Sequence, residues 1–154
     1  MKFKYITNTA KETRDLGKGL AEKILKTKSK RKAHVLALEG ELGGGKTTFL
    51  QGFARGMGIR EKILSPTFVI LKKFKIKHPN FKFFFHIDCY RIKEPKEISD
   101  LGFKEIIAGS KNIVAVEWAK RIEKILPPST TFINFEFYNK NKRKITIKWP
   151  KKNA

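Results

Sequence analysis

An apolar run, Val35-Leu36-Ala37-Leu38, passes through Gly40-Glu41-Leu42-Gly43-Gly44-Gly45-Lys46-Thr47 into a helix-favouring stretch, Thr48 to Arg55. This is the phosphate-loop pattern G-x-x-x-x-G-K-[ST], with the buried strand before it and the helix after it that the pattern requires. The arrangement leaves the chain little freedom. A strand must hand over to a helix through glycines, whose backbone can take up conformations that let successive amides converge on an anion. The spacing predicts a helix beginning near Lys46 and ending near Gly58, with its positive end at the loop. Lys46 would then reach the β- and γ-phosphates of a nucleotide, and the Thr47 hydroxyl would ligate Mg²⁺. The plain alternative, a glycine turn that merely precedes a helix, is disfavoured by flanks of the right kind on both sides.

The remaining elements follow from periodicity and punctuation. Lys2 to Thr7 reads as a short strand. Thr9-Ala10-Lys11-Glu12 opens a helix with a capping box, and Leu16, Leu20, Ala21, Ile24 and Leu25 form its apolar stripe. Lys26 to Lys32 is a basic connector. Phe68 to Ile76 and Phe81 to Asp88 are extended runs separated by His78-Pro79-Asn80. Glu94 to Ala108 reads as two helical pieces broken at Gly102, and Asn112 to Glu117 as a buried strand. Pro127-Pro128 ends a short helix. The C-terminal part is a hairpin, Thr130 to Tyr138 with Arg143 to Trp149. Helices alternating with strands, then hairpins, predict a three-layer α/β domain around a mixed sheet.

With 154 residues the chain is expected to form one domain over its whole length, burying roughly 70% of its unfolded surface. No apolar run approaches membrane-spanning length, and the N-terminal residues lack a signal-peptide core. The lone cysteine, Cys89, has no internal disulfide partner. A soluble, cytoplasmic protein is expected. The formal charge of +21 suits a polyanionic partner. However, the excess is mostly lysine, scattered along a chain also rich in Ile, Phe and Asn, as A/T-rich coding would produce on any surface.

A nucleotide–Mg²⁺ site needs acid opposite the loop. Asp88 ends the run Phe83 to Ile87, and Glu117 ends Ile113 to Val116. Open α/β sheets bind ligands beyond the carboxyl ends of their strands, so both acids would face Lys46 if their strands run parallel to Val35–Leu38. Glu117 is assigned to the metal, directly or through its water. Asp88 shares that shell or orients the attacking water. The plain reading of each is an acid capping a neighbouring turn. His86 lies on the same strand face as Asp88 and is read as a packed, hydrogen-bonded histidine. Thr67, after Ser65-Pro66, either senses the γ-phosphate and metal or simply starts a strand; composition does not choose.

These blocks, in order, resemble one family: Gly40 to Phe49, Ser65-Pro66-Thr67-Phe68, His86-Ile87-Asp88-Cys89-Tyr90-Arg91, Val116-Glu117-Trp118, and Thr13…Leu16-Gly17 in the first helix. Together they are similar to the TsaE (YjeE) family of small bacterial ATPases. The resemblance implies a P-loop NTPase fold and a role in tRNA threonylcarbamoyladenosine formation beside the TsaD–TsaB pair. ATP hydrolysis there supports repeated turnover, and tRNA is reached indirectly through the complex. Carried over by motif, Gly43, Gly44, Gly45, Lys46, Thr47 and Thr48 contact the phosphates, and Thr47 and Glu117 serve Mg²⁺. Asp88 and Thr67 complete the active site, Trp118 lies beside it, and Ala10 to Thr13 flank the adenine. Gly44 stands where the family usually has alanine and Glu41 where aspartate is frequent. The hairpin matches poorly, so no nucleotide contact is carried over to Arg143. Two rivals remain on the sequence: a small-molecule kinase with the same loop, and a basic RNA-binding module gated by nucleotide.

Overall fold

A computed structural model describes residues 1–28, 30–64 and 70–151. Its centre is a seven-stranded mixed sheet in the order β1-β7-β6-β2-β5-β4-β3. The strands are β1 (Lys2–Thr7), β2 (His34–Gly40), β3 (Leu71–Lys75), β4 (Phe83–Asp88), β5 (Asn112–Glu117), β6 (Thr131–Phe137) and β7 (Arg143–Lys148). The helices are α1 (Ala10–Leu25), α2 (Lys46–Gly56), α3 (Pro95–Ser99) and α4 (Phe103–Ala108), with a 3-10 segment at Ala119–Ile125. The expected elements are present, including the break at Gly102 and the C-terminal hairpin. The start of the extended run at Phe68 and Val69 lies outside the described residues, and β4 begins at Phe83 rather than Phe81.

Side-chain alternation sorts the sheet into two faces. Leu36, Leu38, Phe84, Ile113, Ala115, Ile133, Phe135, Ile145 and Ile147 pack with Leu20, Ile24, Phe49, Leu50 and Phe53 of α1 and α2. Val35, Ala37, Phe85, Ile87, Val114 and Val116 pack on the other side with Ile98, Phe103 and Ile122 from α3, α4 and the 3-10 segment. Three layers result, as the sequence pattern implied. β2 pairs in parallel with β5, and β5 with β4. All three strands therefore deliver their carboxyl ends to the edge where the glycine loop emerges.

The helix that follows the loop is fixed by its contact with α1. A Cβ on Gly52 would lie 1.9 Å from the Arg14 carbonyl oxygen, and one on Gly17 would lie 2.1 Å from that of Phe49. The two helices thus meet backbone to backbone, and neither neighbour is a side chain that can swing away. Gly52→Ala is expected to force α1 and α2 apart and cost about 1–3 kcal/mol. In thermal unfolding, a Tm fall of about 3–10 °C is predicted; an unchanged Tm would contradict the close crossing.

His34 opens β2 and is 8% exposed, with its ring edge-on to Trp149 at 6.3 Å. Burial, assisted by the charge of Lys30, holds its pKa down at about 4 against an ordinary 6.5. The folded protein therefore keeps this ring neutral, whereas the unfolded chain takes up a proton below 6.5. The resulting stability is intact above that value and is lost as pH falls from 6.5 towards 4, by up to about 3 kcal/mol. Urea titrations across that window should show a shallower acid loss for His34→Gln than for the parent; identical profiles would contradict the assignment.

Candidate nucleotide site at the glycine loop

The loop is shaped by its glycines. Gly45, the residue before α2, has φ 103°, a left-handed conformation that strains any other residue. The Gly44 amide closes the turn on the Glu41 carbonyl at 3.0 Å. The helix begins with Phe49 N–H donating to the Gly45 carbonyl at 2.9 Å, and no side chain caps it. The amides of Lys46, Thr47 and Thr48 are therefore free of an acceptor among the described residues. α1 behaves differently: the Thr9 hydroxyl accepts from Glu12 N–H at 3.1 Å, and Glu12 reaches back to the Asn8 amide at 2.9 Å. An uncapped first turn with its dipole positive is a seat for an anion.

Lys46 is buried at 5% exposure. Its ammonium donates to the carbonyls of Gly40 and Glu41 and lies 4.1 Å over the Trp118 ring. Burial lowers its pKa from the usual lysine value, opposed by the negative charges of Glu117, Glu39 and Asp88. The Lys46 ammonium is thus held at the mouth of the loop by two carbonyls and a ring face.

Alternation along β4 and β5 puts His86, Asp88 and Glu117 on the same face as α2, and Asp88 sits directly opposite Glu117 in register. Glu117 lines one cleft with Gly43, Gly44, Gly45, Lys46, Thr47 and Thr48. One of its oxygens, Oε2, is 2.6 Å from His86 Nε2, with both side chains at 3% exposure or less. His86 is therefore the packed, hydrogen-bonded residue expected, and it restrains the acid nearest the loop. Asp88 is 8% exposed, and its Oδ1 accepts from Tyr90 N–H at 2.9 Å, the turn-capping contact. It is absent from the cleft lining, although its charge reaches Lys46. Thr67 lies outside the described residues.

Trp118, just after Glu117, has φ 56°, and its ring packs on Tyr90 at 5.1 Å between centroids. An unusual backbone held by its surroundings is common at functional sites. The Cys89 thiol, fully buried, is pushed up to about 12 by burial and by the charges of Asp88 and Glu39. It is a packed group rather than a nucleophile.

The opposite wall comes from Thr7, Ala10 and Thr13, and from Asn141 and Arg143 of the hairpin. Ala10 and Thr13 are where the family pattern put the adenine side. The guanidinium of Arg143 donates to the Gly43 carbonyl at 3.2 Å and lies 4.3 Å from the centre of the Phe137 ring. This residue was left without a role in the sequence. Pairing of β7 with β6, which sets Phe137 opposite Arg143, and of β6 with β2, the strand that runs into the loop, brings it there.

These groups fit a nucleotide with Mg²⁺. Three unspent amides and a lysine face a hydroxyl, Thr47, and a carboxylate, Glu117, which are hard oxygen donors. Among the described residues no cluster of three or more His, Cys, Asp or Glu side chains could hold a metal by itself. An ion here would complete its shell from phosphate and water, as Mg²⁺ commonly does. Among the described residues no helix is long and apolar enough to cross a membrane.

A parallel β2-β5-β4 core, a glycine loop leading into an uncapped helix, and an acid across the cleft define an α/β domain of the P-loop class. Comparison with known proteins narrows this. The family model described as "Threonylcarbamoyl adenosine biosynthesis protein TsaE" matches residues 7–145. The tRNA threonylcarbamoyladenosine biosynthesis protein TsaE of Rickettsia typhi is 36% identical over 92% of this chain and 91% of its own. The Bacillus subtilis protein of that name is 41% identical over 73% of this chain and 68% of its own. A crystal structure of Bacillus subtilis YdiB superposes with a TM-score of 0.74 at 33% identity, covering 96% of this chain and 84% of that one. The chain belongs to the TsaE family, whose part is in tRNA threonylcarbamoyladenosine biosynthesis.

The His86–Glu117 contact has a measurable consequence. His86→Phe strands a buried carboxylate and should cost about 2 kcal/mol or more. Adding Glu117→Gln should recover part of that loss, because a neutral amide tolerates burial better. Denaturant titration of the two single variants and the double variant checks this; strictly additive losses would contradict a direct coupling.

Proposed function

We propose that this chain binds ATP with Mg²⁺ in the cleft between the first turn of α2 and the end of β5, walled by α1 and the hairpin, and hydrolyses the nucleotide. One observation supports this most directly. The free amides of the first turn of α2 and the Glu117 carboxylate line the same cleft, with the Lys46 ammonium buried between loop carbonyls and the Trp118 ring. The amides of Lys46, Thr47 and Thr48 and the Gly43–Gly45 turn hold the phosphates, and Lys46 neutralises their charge. Thr47 and Glu117 hold Mg²⁺, which when bound draws charge from the phosphate oxygens. His86 keeps Glu117 in place, Asp88 supports that shell or orients water, and by the family motif Thr67 completes the set of active-site residues. Ala10 and Thr13 flank the base.

Family membership gives the activity its setting. Hydrolysis supports repeated rounds of threonylcarbamoyladenosine formation on tRNA by the TsaD–TsaB pair in the cytoplasm, with tRNA engaged through that complex. Of the arginines among the described residues, Arg143 lines the cleft, and it is occupied by the Gly43 carbonyl and the Phe137 ring. Activation is therefore left to a partner. The isolated chain should turn over ATP well below the typical enzyme rate of about 10 per second, with TsaD–TsaB raising it. Lys46→Ala should abolish phosphate release in both settings. Normal hydrolysis by that variant, or fast hydrolysis by the parent alone, would contradict this reading.

A further inference from the structure

One side of the sheet is covered along only half its width. α3, α4 and the 3-10 segment pack over β2, β5 and β4, but among the described residues no helix covers the same side of β6, β7 and β1. Register fixes what this open face displays. Lys2, Lys148 and Phe132 stand in one row, followed by Lys4, Thr146 and Asn134, and then Ile6, Lys144 and Glu136. Their neighbours on β6 and β7, Ile133, Phe135, Ile145 and Ile147, point into the α1–α2 core. Strand spacing and rise place the four lysines within a patch of about 10 by 14 Å. Among the described residues, Lys2, Lys4 and Lys148 have no acidic partner, and Lys144 meets only Glu136, at 3.9 Å. Phe132 is 39% exposed amid this charge. Lys2 lies directly opposite Lys148, and like charges placed so are destabilising.

We propose that this open face of β1, β7 and β6 binds the phosphate backbone of RNA, as a contact made by this chain itself. A rigid sheet displaying point charges around an exposed ring matches sequence-tolerant RNA binding, in which lysines follow phosphates and an aromatic ring stacks a base. An acidic protein partner fits less well, because lysine is depleted at the centres of protein–protein interfaces, where arginine and large aromatics dominate. The glycine-loop cleft opens at the ends of the strands, so RNA on this face leaves the nucleotide site open. Only the choice of tRNA as probe rests on the function proposed above.

The test is fluorescence anisotropy of a labelled tRNA transcript with the full-length chain, titrated with NaCl. In Lys4→Gln/Lys144→Gln/Lys148→Gln the salt slope should fall by about 2–3, and affinity near 0.1 M salt by about 10–100-fold. The single variant Lys148→Gln should lower the slope by about one unit while raising Tm, since it relieves the pairing with Lys2. Removing the same charge from the connector, in Lys26→Gln/Lys28→Gln/Lys30→Gln, should leave most of the affinity. Phe132→Thr should weaken binding without changing the slope, and Lys46→Ala should bind as the parent does, so loss of hydrolysis and loss of RNA binding are separable. Equal losses in the two triple variants would overturn the proposal in favour of overall charge. Displacement by polyglutamate as effective, charge for charge, as that by unlabelled tRNA would overturn it in favour of an acidic protein. Absence of salt-dependent binding by the parent would overturn it outright.

Discussion

The placement of α2 depends on a contact without side chains. At Gly17 and Gly52 the backbones of α1 and α2 approach so closely that one added methyl group meets a carbonyl oxygen. Packed cores resist such shifts because their density leaves no slack. The contact therefore fixes the height and tilt of α2 over the sheet, and with them the direction in which its first-turn amides point. α1 also carries Ala10 and Thr13 to the cleft, so one helix crossing sets two of its walls.

Parallel pairing of β2 with β5 supplies the third wall, at Glu117. Equal register of Asp88 with Glu117 puts two carboxylates side by side at the sheet edge, but their surroundings give them different work. Glu117 is held by a buried histidine and lines the glycine-loop cleft; Asp88 accepts from the amide of Tyr90 and acts on Lys46 through space. The sheet brings both charges to one edge, and of the two acids only Glu117 lines the cleft.

The order of layers and the strand–loop–helix unit were legible in the sequence because both are local: glycines at fixed offsets, a capping threonine, and alternating apolar residues. His86 was also legible as a packed residue, since it shares a strand face with Asp88. Its partner was not, because the diagonal from His86 to Glu117 depends on the register between β4 and β5. Arg143 escaped for a similar reason. It starts a strand whose hairpin partner β6 is local, but the pairing of β6 with β2 that carries the hairpin to the loop is long-range, and nothing in the local run Lys142-Arg143-Lys144 marks the middle residue. A strand-ending acid also looks the same in sequence whether it lines the glycine-loop cleft, as Glu117 does, or has an oxygen on a turn amide, as Asp88 does.

The central claim is that the α2 amides hold a triphosphate whose metal is met by Glu117. Calorimetric titration of a non-hydrolysable ATP analogue, with and without Mg²⁺, tests it most directly when the parent is compared with Glu117→Gln. The parent should bind more tightly with Mg²⁺, whereas the variant should bind with the parent's metal-free affinity and gain little from the ion. An equal gain from Mg²⁺ in both proteins would contradict the account.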